Sequence, residues 1–273
     1  MTTTTAPATR AKLSPRKRAR IFRWINYGVL ALIVVLLILF MDGRQVQSVF
    51  FRPDMVAETV GIDLLNALKN TILYTVGAFV LGLALGTVLA LMRLSQIGPY
   101  RWIATIYVEF FRGVPAIIVL LAFSLMPLAI PGLRIPLDPY GTVWLALGIV
   151  AAAYMSETIR AGVQAVPKGQ TEAARSLGMP SGMATQKIIL PQAFRVVTPP
   201  LTNELVLLTK DSSLVYVLGL TAEGFDLTKY GRDLTNTYAN MTPLVIAGLT
   251  YLVITLPLTY LVRRMEAKQK VTR

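Results

Sequence analysis

Long apolar runs, each close to the length of a membrane-spanning helix, recur along this sequence. An α-helix needs about 20 apolar residues to cross roughly 30 Å of hydrocarbon. Apolar residues make up 54% of the 273 residues, whereas charged residues make up only 15%. The sequence therefore predicts an all-α, polytopic membrane helical bundle rather than a soluble domain.

Six membrane crossings are predicted from these runs. Their approximate limits are residues 24–41, 67–92, 102–130, 142–160, 196–219 and 243–263. Residues 1–23 are predicted to form a disordered basic tail, and residues 264–273 a second basic tail. A signal peptide would also combine a basic start with an apolar run, but no small-residue cleavage site follows the first run. We therefore expect a retained helix at 24–41.

The basic residues lie mostly beside the apolar runs. Lys and Arg number 27, against 14 Asp and Glu, which would also suit a nucleic-acid-binding protein. That alternative requires a folded basic surface, and the longest basic segment is the tail. The predicted spans place 20 of the 27 cations on one side, which predicts that this side and both termini are cytoplasmic.

The chain contains neither cysteine nor histidine. Disulfides, thiolate nucleophiles and cysteine metal sites are therefore excluded, and zinc, copper and histidine acid–base chemistry are disfavoured. These absences favour a protein that is not an enzyme and holds no metal.

Small residues recur every four positions in the second predicted span, at Ala78, Gly82, Gly86 and Ala90. Such a stripe lets another helix approach closely. We interpret it as a packing surface rather than a binding site.

Two acid–base pairs lie near the predicted cytoplasmic side. Glu109 and Arg112 stand one turn apart and precede Gly113-Val114-Pro115, where we expect the helix to bend or break. Either residues 102–130 all span the membrane, or residues 102–112 lie along the interface and the crossing begins near Val114. Glu157 and Arg160 repeat the one-turn spacing at the end of the fourth span. Such charges mark either helix pairing or a transport pathway.

The fifth predicted span is the most polar. Glu204 and Asp211 are seven residues apart, so they share one helix face about 10 Å apart along the axis. A face of this kind avoids lipid and lines the bundle interior or water. The residues predicted to line or gate a translocation path are Glu109, Arg112, Glu157, Glu204, Lys210 and Asp211.

The loop at residues 163–195 separates two apolar runs on the cytoplasmic side. Pro167 can start a short helix, and Gly178 can close it as a C′ glycine. A second short helix is expected from Ser181 as its N-cap. Ala173, Ala174 and Leu177 give the first helix a mildly apolar face without the bulky anchors of an interfacial helix, so a protein partner is favoured.

The spacing of residues in this loop is similar to that of a motif in a known protein family. The loop contains Glu172-Ala173-Ala174, followed after three residues by Gly178, after nine more by Ile188 and after one more by Leu190-Pro191. This pattern resembles the EAA loop of the permease subunits of bacterial ABC importers. Three further stretches are YVEFFRGVP (107–115), ETIRAGVQAVPKGQ (157–170) and KDSSLVYVLG (210–219). They resemble the polar amino-acid branch of these permeases, which is the histidine/glutamine/glutamate/arginine type. Val114 departs from the threonine frequent in that branch.

The resemblance covers residues 66–263 and implies a type I ABC importer permease fold, with five core helices plus one N-terminal helix. The whole is most like an actinobacterial glutamate permease subunit. The docking residues implied for the coupling helix are Glu172, Ala173, Ala174, Arg175, Leu177 and Gly178.

The implied partners are ABC ATPase subunits, a second permease subunit in a heterodimer and an extracytoplasmic solute-binding protein, together with the amino-acid substrate and membrane lipid. Nucleic acid is not among them. ATP and magnesium would bind to the ATPase, because this chain has no Walker A loop. A secondary, ion-coupled transporter is the alternative, although the inverted repeat typical of that class is not evident.

Overall fold

The computed structural model describes residues 15–271, with side chains through residue 268. The chain divides into two compact units, residues 1–52 and residues 53–273. The α-helices are α1 Pro15–Phe40, α2 Gly43–Phe50, α3 Pro53–Thr59, α4 Ile62–Leu94, α5 Gly98–Gly113, α6 Ala116–Ala129, α7 Tyr140–Gln164, α8 Lys168–Ser176, α9 Ser181–Ala184, α10 Leu190–Asp211, α11 Leu227–Tyr238 and α12 Thr242–Val271.

The first unit contains α1 and α2. Helix α1 begins at Pro15, so the prediction of disorder is wrong for residues 15–23, while residues 1–14 lie outside the described residues. Proline is well suited to the first helical position, and the Lys and Arg residues that follow are good helix formers. The basic segment therefore extends the first predicted span as one continuous helix.

Helices α4 and α7 form the centre of the second unit. Ala78, Gly82, Gly86 and Ala90 are all buried, as the small-residue stripe predicts. A Cβ atom on Gly86 would lie 2.9 Å from the Ala152 carbonyl oxygen. The stripe therefore acts as the packing surface that brings the two backbones together.

The third predicted span is broken into α5 and α6, and the chain bends by 103° between them. Val114 is extended, with φ −93° and ψ 130°, because the following Pro115 disfavours a helical conformation in the preceding residue. The expected break at Gly113-Val114-Pro115 is confirmed. The chain at 98–129 is thus a sharply bent helix pair rather than one straight helix.

Helix α10 begins before the predicted fifth span. A short π-helical turn at Thr185–Ile189 joins α9 to α10, so Pro191 lies inside the helical segment instead of ending a loop. Pro199 and Pro200 consequently lie in the helix interior, whereas a span that began at residue 196 would have them in its first turn. A 3₁₀ segment, Ser212–Leu218, continues α10 to Gly219.

The segment after Gly219, between the fifth and sixth predicted spans, contains a 3₁₀ turn at Ala222–Gly224 and helix α11. Asn70 of α4 donates through Nδ2 to the carbonyl oxygens of Glu223 and Phe225, at 2.7 and 3.0 Å. The Tyr74 hydroxyl donates to the Gly224 carbonyl at 2.8 Å. These bonds fasten the segment to the end of α4 opposite Arg93.

Four helices within the described range are long and apolar enough to cross a membrane: Pro15–Phe40, Ile62–Leu94, Tyr140–Gln164 and Thr242–Lys268. The bent pair α5 and α6 makes a fifth candidate if it counts as one span. Helix α10 is not in this set, because its polar residues interrupt the apolar background.

Candidate translocation cavity and coupling loop

A cavity of about 510 Å³ lies where the break between α5 and α6 meets α7 and α10. The residues that line it are Arg112, Gly113, Val114, Pro115, Ala116, Val150, Tyr154, Glu204, Leu207 and Asp211. The guanidinium of Arg112 lies 5.8 Å from the centroid of the Tyr154 ring, within the range of a cation–π interaction. The cavity therefore combines one cation and two carboxylates with an apolar wall.

Three of the six predicted path residues meet at this cavity: Arg112, Glu204 and Asp211. Glu204 and Asp211 share a face of α10, as their spacing predicts, and Arg112, just before the break at Gly113, lines the same cavity. Lys210 is exposed and lies outside the lining, because it is one residue, or about 100°, from Asp211 on the helix.

Glu109 also lies outside the cavity. It is exposed, and within the described residues no ion pair joins it to Arg112, so their expected pairing was wrong. Arg112 is instead held over Tyr154 on the neighbouring helix. Arg112 therefore contacts Tyr154 on α7 instead of Glu109 on its own helix.

Glu157 lies in an ion-pair cluster, not in the cavity lining. Its carboxylate accepts hydrogen bonds from Arg93 of α4 and from Arg160 one turn later in α7. Arg160 also donates through Nη1 to Gln164 at 2.7 Å. The one-turn pairing of Glu157 with Arg160 agrees with the sequence, and the geometry gives this cluster a helix-joining position.

Two residues, one in the cavity and one in the ion-pair cluster, were not predicted from the sequence. Tyr154 follows Val150 by one turn on α7, and both line the cavity, but an aromatic residue in an apolar span carries no distinguishing signal. Arg93 directly follows the second predicted span, and a cation in that position indicates only the end of a span. Its partner is 64 residues away, beyond the reach of any helical spacing.

The loop at residues 163–195 contains α8, which begins after Pro167 and ends in a Schellman motif. The Met179 N–H donates to the Ala174 carbonyl at 3.1 Å, and the Gly178 N–H to the Arg175 carbonyl at 3.0 Å. Gly178 has φ +82°, in the left-handed region that glycine favours. The predicted start and end of this helix are therefore confirmed.

The second expected short helix differs in detail. Ser181 is its first helical residue and makes no side-chain cap; Pro180 occupies the N-cap position. Gln192 at the start of α10 donates to Gln170 of α8 at 3.4 Å. Helix α8 is thus tied to the beginning of α10, the helix that carries Glu204 and Asp211.

Five of the six residues expected to dock a partner are exposed: Glu172, Ala173, Arg175, Leu177 and Gly178. Leu177, at the tip of the loop, is 80% exposed, which is unusual for a leucine side chain. Ala174 is only 4% exposed, so the expected single face of Ala173, Ala174 and Leu177 does not form. Ala174 holds α8 against its own chain, while its neighbours point outward.

Asp226 lies at the opposite end of the second unit and is fully buried. Its carboxylate caps α11, accepting from the N–H groups of Thr228 and Lys229 at 2.8 and 3.2 Å, and accepts from the Tyr251 hydroxyl at 3.1 Å. Burial raises the pKa of Asp226 to about 6, although these hydrogen bonds oppose the increase. The carboxyl group therefore binds a proton at a higher pH than an ordinary aspartate does.

Comparison with known proteins gives a consistent result. Residues 78–271 match the family described as binding-protein-dependent transport system inner membrane component. The chain is 40% identical over 209 residues to the arginine transport system permease protein ArtQ of Bacillus subtilis, covering 76% of this chain and 92% of that protein. It is also 40% identical over 213 residues to the glutamate/aspartate import permease protein GltK of Escherichia coli O157:H7, covering 75% and 92%.

Solved structures agree with this result. A crystal structure of an amino acid ABC transporter with histidines is 37% identical, with a TM-score of 0.69, and the match covers 79% of this chain and 97% of that one. The inward-facing MetNI methionine ABC transporter, at 22% identity and a TM-score of 0.59, shows the same fold. The chain therefore belongs to the binding-protein-dependent transport system inner membrane components and is an amino-acid permease of the ABC importer class, with the type I permease fold.

Proposed function

We propose that this chain moves a polar amino acid inward across the plasma membrane and is driven by a cytoplasmic ATPase docked on α8. The observation that carries the proposal is the cavity at the α5–α6 break, which Arg112, Glu204 and Asp211 all line. A guanidinium suits an α-carboxylate, and a carboxylate suits an α-ammonium group. The cavity volume of about 510 Å³ lies within the range typical of small-molecule sites.

The proposed topology has six crossings with both termini in the cytoplasm. Helix α10 and its 3₁₀ continuation form the fifth crossing despite their polar residues, because two of these residues, Glu204 and Asp211, line the cavity. The proposed partners are two ATPase subunits that bind ATP and magnesium, a second permease and an extracytoplasmic solute-binding protein. A catalytic role is assigned to the ATPase and not to this chain.

Glutamate is the substrate suggested by the overall resemblance, and one of the similar permeases is named for glutamate/aspartate import. The cavity provides a specific reason for a second candidate. Two carboxylates and one guanidinium leave the lining net acidic, which favours a cationic amino acid such as arginine over glutamate. Uptake of labelled glutamate, glutamine, arginine and histidine, in cells with and without the chain, separates these candidates.

The coupling role is tested at Gly178, where no heavy atom lies within 4 Å of an added Cβ. Asparagine and aspartate both tolerate the left-handed conformation and have nearly the same shape, so they differ chiefly in charge. A carboxylate desolvated at an interface is costly. We expect Gly178→Asp to lose uptake and release the ATPase while the chain remains inserted, and Gly178→Asn to retain both.

If Gly178→Asp retained the ATPase and full uptake, the docking assignment would be wrong. A loss in both variants would instead point to backbone strain. If none of the four labelled amino acids required the chain for uptake, the substrate class would be wrong while the docking assignment stood.

A further inference from the structure

Helix α2 lies before the part of the chain that matches the permease family, and the proposed function gives it no role. It begins at Gly43, and only residues 41 and 42 separate it from the end of α1 at Phe40. The Asp42 side chain caps it, accepting from the N–H groups of Arg44 and Gln45 at 3.0 and 3.2 Å. A new helix is thus started where the first apolar span ends.

The side chains of α2 divide into two faces. At about 100° per residue, Val46, Val49 and Phe50 fall on one side of the helix. The opposite side carries Arg44, Gln45, Gln47 and Ser48. None of the side chains of α2 is buried within the unit that contains it. The helix is therefore amphipathic, and its apolar face is only partly covered: Val46 is half-buried, and Val49 and Phe50 are 36% and 38% exposed.

Phospholipid is the occupant that fits this face. Helix α1 is a candidate membrane span whose side chains are all exposed, so its apolar surface continues up to Phe40. Three Cα–Cα steps then limit the start of α2 to within about 11 Å of that point. Phe51, exposed directly after α2, adds a bulky aromatic side chain of the kind found in interfacial helices.

We propose that α2 lies in the phospholipid interface at the membrane surface where α1 ends, with Val46, Val49 and Phe50 inserted among the acyl chains. Arg44, on the polar side, lies at the level of the headgroup phosphates. The inserted face lies roughly 5–10 Å into the boundary between headgroups and acyl chains. A helix held in this way prevents α1 from sliding along its axis and sets its depth.

The absence of cysteine allows site-specific spin labelling of the full chain. Val46→Cys and Val49→Cys place a label on the apolar face, and Gln47→Cys and Ser48→Cys place one on the polar face. Phe50→Cys gives a third apolar-face position, so the comparison survives the loss of one variant. Each labelled permease is studied with its co-purified subunits in nanodiscs of phosphatidylcholine and phosphatidylglycerol.

The measurement is the collision rate of each label with oxygen, which concentrates in lipid, and with a water-soluble nickel chelate. We expect oxygen contact at positions 46, 49 and 50, nickel contact at 47 and 48, and a depth within the stated range. High nickel contact at all positions would place α2 in water and overturn the proposal. Shielding of the apolar positions from both reagents would show that protein covers the face, which would also overturn it.

Discussion

The guanidinium of Arg93, at the end of α4, donates a hydrogen bond to the carboxylate of Glu157 on α7. Arg160 donates to the same carboxylate, so one carboxylate is paired with two guanidinium groups. The cluster lies where the long α4–α7 interface ends, a few residues before α8. It therefore joins the two central helices at the end from which the proposed coupling loop emerges.

Replacement of Glu157 by glutamine should destabilise the permease by about 1–3 kcal/mol, because two guanidinium groups lose their charged acceptor. Thermal unfolding of the purified complex measures the change. Arg101→Gln is the matched control, since Arg101 is exposed at the start of α5. The double variant Arg93→Glu with Glu157→Arg should recover part of the loss. Equal stability of the Glu157→Gln and Arg101→Gln variants would contradict the role of the pair.

A larger residue at Gly86 should separate α4 from α7. An added Cβ there would lie 2.9 Å from a backbone oxygen, which cannot rotate away as a side chain can. We expect Gly86→Val to cost about 1–3 kcal/mol or more by overpacking. Gly28→Val in α1 makes the same change in a helix where no heavy atom lies within 4 Å of the new Cβ. Since valine is a better helix former than glycine, unfolding temperatures that change equally in both variants would contradict the close contact at Gly86.

Neutral substitutions at the cavity should slow transport. Loss of a charged hydrogen-bonding partner costs about 1.5–3 kcal/mol, so we expect Arg112→Gln or Asp211→Asn to reduce the maximal uptake rate about tenfold or more. Glu109→Gln, on an exposed residue outside the lining, serves as the control. The measurement is initial uptake at saturating amino acid, with membrane levels checked by immunoblot. A control variant as slow as Asp211→Asn would argue against the cavity.

Substrate choice should respond to the acidic residues in particular. The double variant Glu204→Gln with Asp211→Asn removes the net acidic character of the lining and should lower arginine uptake relative to glutamate uptake. Competition between the two labelled amino acids gives the ratio directly. An unchanged ratio would show that the discrimination arises elsewhere, such as in the solute-binding protein.

Stability should increase as the pH falls from neutral toward 5. The pKa of Asp226 is about 6 in the folded protein, against an ordinary value of 3.8, so folding strengthens proton binding. Between these two values, each unit decrease in pH should add about 1.4 kcal/mol to the free energy of unfolding. Asp226→Asn keeps a residue type suited to helix capping but cannot titrate.

Unfolding of the wild type and of the Asp226→Asn variant at pH 5 and pH 7.5 isolates this contribution. We expect the wild type to gain stability relative to the variant at pH 5. A difference between the two proteins that stays constant with pH would contradict a raised pKa for Asp226.

Several features were predictable because they depend on local spacing. The small residues at Ala78, Gly82, Gly86 and Ala90 predicted a close helix contact, and Pro115 predicted the break between α5 and α6. Gly178 predicted the end of α8 in the same way. The helical limits were less accurate around Pro199 and Pro200, because a π turn carried the helix through Pro191 and moved its start upstream.

The sequence by itself determined the membrane class, the positions of the apolar helices and the polar face of α10, since each of these follows from residue type and periodicity along one segment. Only the tertiary structure decided which charges meet. Arg112 lies with Tyr154, Glu204 and Asp211 because the α5–α6 break directs it toward α7 and α10, whereas Glu157 pairs with Arg93 across the α4–α7 interface. Contacts between distant helices depend on how the helices pack, and no spacing within a single helix records that arrangement.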